Sequence, residues 1–373
     1  MKRVTFLVPL VAVVAMVVAA LAVDAGCSAE PRAQGKSQVT AESFNDRSME
    51  LPDELLRGAI DIHVHAGPHL KSSPRSVDPM QAARQAKAAG MRGLVYMDVL
   101  ENSSGTAWLV SRMVPDIQVF GGIILNTAYG GMNPRSVKTA LYYGDGAKYI
   151  QFGTHSAYFQ ASREGRVMDG KYRLIQDVYP KFKEEELSRA IRIPVNEDPG
   201  PELDEILKLV ADHPHVYIDS GHVSVEEALR LVDLKKVYGY QKVIVSSSVT
   251  KLATVEQLKY MISQGAVIEH TIASYMAQQM IPGTHYYIEE DYMSIDEAMD
   301  KEAEGGIRRV GEMIRALGAE NCILSTDSGR YSMPTPLECM RVFIACMLDL
   351  KISPEEIRLM VKTNPEKLLG IEN

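Results

Sequence analysis

The sequence predicts an α/β fold, a (β/α)8 TIM-like barrel with an insertion after the fourth strand. From about residue 58 onward, short β-branched runs alternate with helical patterns, and this alternation is typical of parallel strands joined by helical crossovers. Eight such units follow one another, which favours a barrel. A doubly wound open sheet is the structural alternative, but no Gly-x-Gly-x-x-Gly motif follows the first strand.

The eight predicted strands share a short apolar or β-branched core. They are Ala59–His65, Gly93–Val99, Gln118–Leu125, Lys148–Thr154, Val216–Gly221, Lys242–Ser248, Ala266–His270 and Cys322–Thr326. A helix over Asp78–Ala89 is predicted to stop at Gly90. Capping boxes, in which a Ser or Thr is followed three residues later by Glu or Gln, predict further helix starts at Ser224, Thr254, Ser294 and Ser353. Asn364-Pro365 is expected to interrupt or end the last helix.

The stretch between strands four and five is too long for a plain crossover. It contains two turn-like segments, Met168–Lys171 and Asn196–Pro201. We interpret residues 156–198 as an insertion over the barrel mouth, within a barrel domain that spans residues 51–373.

The N-terminus has the features of a targeting segment. Lys2 and Arg3 precede an apolar run from Phe6 to Val23, which predicts a signal peptide over residues 1–27. Cys27 stands where a lipoprotein signal would end, and a retained membrane anchor is a further alternative. Residues 28–50 are polar and are interpreted as a linker. We therefore expect an exported protein, periplasmic or attached to the envelope, with a membrane tether through the N-terminus as an open alternative.

Composition excludes some functions. The formal net charge is -8 and no basic stripe is present, so nucleic-acid binding is not expected. The sequence has no Cys-x-x-Cys pair, which argues against a thiolate zinc site or a redox motif. Cys322, Cys339 and Cys346 are expected to be buried thiols. Composition leaves the oligomeric state open.

Histidine and aspartate residues recur where the predicted strands end, and active sites of such barrels lie at these ends. The candidate metal ligands are His63, His65, His155, His222, His270 and Asp327. His63 and His65 share one face of a strand because side chains alternate. Each candidate also has a purely structural alternative to metal binding. His63 and His65 could be core histidines, Asp327 a turn or N-cap residue, and His222 a helix-entry residue. His155 and His270 could have surface or supporting roles.

Mixed imidazole and carboxylate ligands predict one divalent metal ion, with zinc preferred and manganese or iron as alternatives. Asp327 is the candidate general base, and His222 is expected to assist it or to bind metal. Arg330 is a candidate to hold a substrate carboxylate or phosphate. Asn126 and Tyr129, which follow strand three, are candidates to line the pocket of a small-molecule substrate.

These motifs resemble the amidohydrolase superfamily of metal-dependent hydrolases. The resemblance rests on His63-x-His65, His222, Asp327 and the C-terminal stretch "TNPEKLLGI". "DIHVHAGP", "ILNTAYGGMNP" and "DSGHVSVEEAL" resemble an uncharacterised branch of it. Three departures stand out: Ser246–Ser248 replaces a strand-six histidine, Lys148 lies at the wrong end of strand four for a bridging role, and Met97-Asp98 replaces a strand-two lysine.

The resemblance implies a hydrolase that cleaves an amide, lactone or ester through a metal-activated water, and the N-terminal segment predicts that it is exported. The departures favour one metal rather than two. The departures also leave open a ligand-binding barrel that has lost activity. A metal-dependent decarboxylase, a reaction that some relatives catalyse, and a phosphoesterase are further alternatives.

Overall fold

A computed structural model describes residues 49–69, 74–168, 171–273, 282–283, 292–293, 306–331 and 333–371. The predicted signal peptide, the linker up to residue 48 and the capping box at Ser294 lie outside these ranges. In the described part of the chain, no helix is both long and apolar enough to cross a membrane.

All eight predicted strand positions are present. The strands are β1 (Ile60–Val64), β2 (Gly93–Tyr96), β3 (Gln118–Phe120), β4 (Gly122–Ile124), β5 (Tyr149–Gln151), β6 (Gly165–Met168), β7 (Lys171–Leu174), β8 (Tyr217–Asp219), β9 (Lys242–Val245), β10 (Ala266–Thr271), β11 (Pro282–Gly283), β12 (Tyr292–Met293) and β13 (Cys322–Ser325). The third predicted strand is divided at Gly121 into β3 and β4. A side chain at Gly121 would meet the Ser103 backbone at 2.4 Å, so the two loops approach too closely for any other residue.

The barrel strands form two parallel sheets, in the orders β1-β2-β3 and β13-β10-β9-β8-β5-β4. On one side the sheets are continuous through the chain at Gly121. On the other side, a parallel bridge joins Val64 to Ser328, and the His65 N–H donates to the Ser328 carbonyl over 2.8 Å. Both sides are therefore connected, as in an eight-stranded barrel, and the predicted fold class is confirmed.

Helices follow most strands. They are α1 (Glu50–Leu56), α2 (Pro79–Ala88), α3 (Ser104–Met113), α4 (Pro134–Tyr142), α5 (Tyr158–Ala161), α6 (Ile175–Val178), α7 (Pro180–Phe182), α8 (Gly200–Ala211), α9 (Val225–Tyr238), α10 (Ser247–Thr250), α11 (Val255–Ser263), α12 (Ile307–Leu317), α13 (Pro336–Asp349), α14 (Pro354–Arg358) and α15 (Asn364–Leu369). The capping boxes at Ser224, Thr254 and Ser353 are formed as predicted, and a fourth at Asp78 opens α2.

The predicted insertion contains its own small elements. It comprises α5, the antiparallel hairpin β6–β7, α6, α7 and a π-helical turn over Lys183–Leu187. Phe182 and Ile175 form a small buried cluster of their own with Ala161. Its position over the barrel mouth stays a prediction.

The strands stack two kinds of side chain in the barrel interior. Tyr149, Tyr217 and Ile323 belong to a buried apolar cluster. Two residues further along the same strands, and so on the same face, lie the buried polar residues Gln151, Asp219 and Ser325. The apolar layer therefore supports a polar layer that leads toward the carboxyl ends of the strands.

The C-terminal motif packs at the opposite end of the barrel, where the strands begin. α14 continues through a π-helical turn over Leu359–Thr363 directly into α15, whose first turn contains Pro365. The expectation that Asn364-Pro365 interrupts or ends the last helix is therefore wrong, because the wider π-helical turn before it accommodates a residue without an N–H donor. The buried Asn364 amide donates to the carbonyls of Ala319 (2.8 Å) and Cys322 (2.7 Å). Lys148 and Lys242 donate to the last carbonyls of α15, which is favourable at a helix C-terminus.

We expect Asn364→Ala to destabilise the fold by about 2 kcal/mol, because the buried carbonyls of Ala319 and Cys322 would lose their hydrogen-bond donor. Denaturant unfolding measures this, with the exposed Asn196→Ala as the matched control, which should change stability by less than about 0.5 kcal/mol. Equal stability of the two variants would contradict this role.

Candidate metal centre

Two histidines at the end of β1 are held in one orientation each. His63 Nδ1 lies 3.0 Å from Glu269 Oε1, and His65 Nδ1 lies 2.8 Å from the Met97 carbonyl oxygen. A carbonyl or carboxylate at Nδ1 selects the tautomer that carries its proton there. Each ring therefore keeps Nε2 available as a ligand atom, which is the arrangement that supports metal-binding histidines.

Asp327 meets both rings. Its Oδ1 atom lies 3.0 Å from His65 Nε2 and 3.5 Å from His63 Nε2. The three side chains offer ligand atoms that all lie within 4.8 Å of one another. Ligands in tetrahedral zinc sites, with bonds near 2.0–2.1 Å, are separated by about 3.3 Å. The distances and the donor types therefore fit a single divalent cation.

The backbone brings the cluster together. The Asp327 N–H donates to the His63 carbonyl over 2.9 Å, and Asp327 adopts a left-handed conformation with φ of 49°. Gly329 follows with φ of +139°, and a Cβ there would lie 1.8 Å from the His65 carbonyl oxygen. Only glycine allows the chain to pass so close to the first strand.

Charge around the cluster shifts its titration. Burial acts to lower the pKa of His63, but the carboxylates of Glu269 and Asp327 outweigh it and raise this pKa to about 10. Burial acts to raise the pKa of Asp327, but the charges of His63, His65 and Arg330 hold it far below its usual range. Burial lowers the pKa of His65. The cluster therefore binds a proton tightly, as a site built for a cation would.

Glu269 was not singled out from the sequence. Its buried carboxylate accepts hydrogen bonds from Ser325 Oγ (2.6 Å) and the Ser247 N–H (3.1 Å), besides its contact with His63. The available signal was a carboxylate on a buried strand, where an acidic residue needs partners.

His222 stands near the cluster but outside its 4.8 Å group. Its buried Nδ1 has no hydrogen-bond partner. Burial and the nearby His155 lower its pKa to about 3, so the ring is neutral at neutral pH. The loop that carries it is held by Ser246 and Ser248, whose hydroxyls donate to the Gly221 carbonyl. The strand-six serines thus position the His222 loop.

His155 lies further out. It is partly exposed and its Nδ1 lies 2.5 Å from Glu164 Oε1, a residue of the insertion. Its charge acts on His222, so it lies on the same side of the barrel, but the group of three ligands does not include it.

His270 does not reach the cluster. Glu269 and Thr271 on β10 contact interior groups, and alternation turns His270 to the other face. There it is fully buried, neither ring nitrogen has a partner, and burial lowers its pKa to about 4. The expected ligand role of His270 is therefore wrong. The side chain lies on the outer face of the strand, not on the face that leads to the cluster.

The three predicted substrate residues differ in placement. Arg330 acts electrostatically on Asp327 and so lies beside the cluster. The Asn126 side-chain amide makes its hydrogen bonds within the protein, to Thr154, Ser156 and the Val99 carbonyl. This corrects its expected pocket role, because it holds loops together instead. Tyr129 is partly exposed on the 3₁₀ turn Thr127–Tyr129, and its role stays a prediction.

Solved structures share this architecture. The "probable dipeptidase PvdM" of Pseudomonas aeruginosa aligns with 86% of this chain and 97% of its own, at 10% identity and a TM-score of 0.52. An amidohydrolase from Burkholderia multivorans covers 84% and 99% at 9% identity and a TM-score of 0.49. An organophosphorus hydrolase from Deinococcus radiodurans covers 86% and 94% at 14% identity and a TM-score of 0.47. At these identities the likeness, carried by the structure with a TM-score of 0.52, shows a shared fold.

Sequence comparison assigns a family. Residues 58–269, more than half of the chain, match the model described as "Family of unknown function (DUF6282)", and the chain belongs to this family. No curated protein matches the sequence.

Gly329→Ala should destabilise the protein by more than about 3 kcal/mol, because the new Cβ would collide with the His65 carbonyl as well as strain the backbone. Gly200→Ala is the matched control: Gly200 also has a positive φ, yet no atom lies within 4 Å of its Cβ position. It should cost only about 1 kcal/mol. Similar losses of unfolding free energy in both variants would contradict the close approach.

Proposed function

We propose that this member of DUF6282 is an exported metal-dependent hydrolase of small molecules, cleaving an amide, lactone or ester bond. The observation that carries the proposal is the convergence of His63 Nε2, His65 Nε2 and Asp327 Oδ1, with the far nitrogen of each imidazole already engaged. The predicted signal peptide over residues 1–27, an apolar run after Lys2 and Arg3, supports the proposed export.

His63, His65 and Asp327 would hold one divalent cation, and zinc suits two imidazoles and a carboxylate. When bound, such a cation supplies Lewis acidity that polarises a carbonyl group and eases deprotonation of water. Three protein ligands leave further coordination positions open, as catalytic rather than structural sites do.

Three side chains of this protein would have separate roles in proton transfer and charge stabilisation. Asp327 is 24% exposed, and the second oxygen of its carboxylate would be placed to accept the proton of the attacking water. Neutral His222 would donate a hydrogen bond to the substrate or the leaving group. Glu269 would fix the His63 ring and compensate the charge of the cation.

Elemental analysis of the purified protein after reconstitution with zinc should give about one metal per chain. A His63→Ala/His65→Ala variant should lose it, whereas the exposed His215→Ala control should retain it.

His222→Ala should keep the metal but lose activity on an ester, lactone and amide panel by at least about 100-fold.

Absence of metal in the native protein would overturn the hydrolase proposal. Two metals per chain would overturn the single-cation site. One tightly held metal with no turnover on the panel would favour the alternative of a ligand-binding barrel, for which the missing strand-six histidine is the supporting observation.

Zinc affinity should rise with pH. Because the pKa of His63 is raised to about 10, this ring is protonated in the metal-free protein throughout pH 7–9, and the cation must displace that proton. Binding should therefore tighten about tenfold per pH unit over this range. Calorimetry in buffers of different ionisation enthalpy checks the release of about one proton, and an affinity independent of pH would contradict it.

A further inference from the structure

Two arginines are brought side by side at the rim of the cluster. The segment after β1 and the segment after β13 pair antiparallel: the Ser76 N–H donates to the Gly329 carbonyl over 2.7 Å, and the Tyr331 N–H to the Pro74 carbonyl over 3.2 Å. Between these bonds, Arg75 and Arg330 lie directly opposite each other in an antiparallel bridge. Residues directly opposite in such a pair project their side chains to the same face.

Both charges act on the candidate ligands. Arg330 acts on the carboxyl group of Asp327, and Arg75 acts on the His65 ring. Arg75 in turn feels the charges of Asp98 and Asp327. The guanidinium groups therefore lie on the side of the cluster where the first and last strands meet.

The nearby carboxylates are engaged elsewhere. Asp327 Oδ1 lies against the two histidines. The Asp98 carboxylate accepts from the Tyr96 hydroxyl (2.9 Å) and the Leu100 N–H (2.6 Å). Meanwhile Arg75 Nε is buried without a hydrogen-bond partner.

Like charges placed opposite each other on a ladder are destabilising, and a buried unpaired donor adds a desolvation cost. Burial and the neighbouring Arg330 accordingly lower the pKa of Arg75 to about 10. An anion bound between the two side chains would remove both costs.

We propose that Arg75 and Arg330 form a carboxylate-binding site, so that the substrate carries a carboxylate near the bond to be cleaved. A guanidinium presents paired N–H donors that match the two oxygens of a carboxylate. The proposal rests on the proposed function for the position of the bond, but the anion site itself is independent of the metal. Arg75 lies in a loop without any sequence motif, and nothing in its spacing pointed to this role.

The test is calorimetric titration of the full-length, metal-free protein with malonate, so that binding through a metal cannot contribute. We expect saturable one-site binding. Arg75→Gln and Arg330→Gln should each weaken it at least tenfold, and so should the charge-retaining Arg75→Lys, because it loses the paired donors. Arg135→Gln, at an exposed arginine on α4, is the matched control and should bind as the native protein does.

A second readout excludes a merely structural role. Without ligand, Arg75→Gln should leave Tm unchanged or raise it, because it removes repulsion, whereas loss of a structural residue would lower it. Unchanged malonate affinity in both glutamine variants, or no binding by the native protein, would overturn the proposal. Tighter binding of inorganic phosphate than of malonate would overturn the carboxylate assignment.

The metal measurements separate this proposal from the proposed function. Arginine-dependent malonate binding by a protein that takes up no zinc would leave the anion site standing while the hydrolase proposal fails. One zinc per chain, with malonate binding that ignores both arginines, would overturn only the anion site.

Discussion

The backbone junction between the first strand and the segment after the last strand determines the candidate site. The Asp327 N–H donates to the His63 carbonyl, and the His65 N–H donates to the Ser328 carbonyl, so the two segments are bonded in both directions. The buried Asp61 side chain reinforces the junction, since it accepts from the Thr326 N–H (3.0 Å), the Thr326 hydroxyl (2.6 Å) and the His63 N–H (3.2 Å). Residues some 260 positions apart in sequence thereby become immediate neighbours, and two ligands from β1 meet the third.

The interior below the cluster is acidic by construction. Glu269 and Asp219 are both about 1% exposed, and burial together with the charge of Glu269 raises the pKa of Asp219 to about 7. Hydrogen bonds from Gln151 and the Gly221 N–H hold Asp219 in place. Buried carboxylates are costly unless they are paired. A cation held by His63, His65 and Asp327 would compensate these charges, so the chemistry of the site and the stability of the interior are linked.

Sequence reasoning reached the fold and the three converging side chains because both depend on periodicity. Alternation places His63 and His65 on one face, and a barrel brings strand ends to one rim. It did not reach Glu269, because the choice between Glu269 and His270 depends on which face of β10 turns inward. A strand that is buried on both faces gives no polar pattern to decide this.

Loop residues were harder for a different reason. The loop hydrogen bonds that occupy the Asn126 amide have no periodicity, so an exposed role and an internal one look alike in sequence. Arg75 becomes significant only through pairing with Arg330, a contact between two loops that are more than 250 residues apart. Its position could be recognised only once the two segments were seen to pair.

Two of the three departures from the superfamily pattern, at strands four and six, have physical accounts that agree with the proposed single cation. At strand four, Gln151 supports Asp219, while Lys148 binds the C-terminal helix at the other end of the barrel. At strand six, serine hydroxyls hold the His222 loop. These neutral groups offer little to a second cation. The ligand set lies instead where β1 and β13 meet, and the two arginines occupy the same side. The proposed cation site and the proposed anion site would lie side by side, which would suit a substrate whose reacting carbonyl and carboxylate are close together.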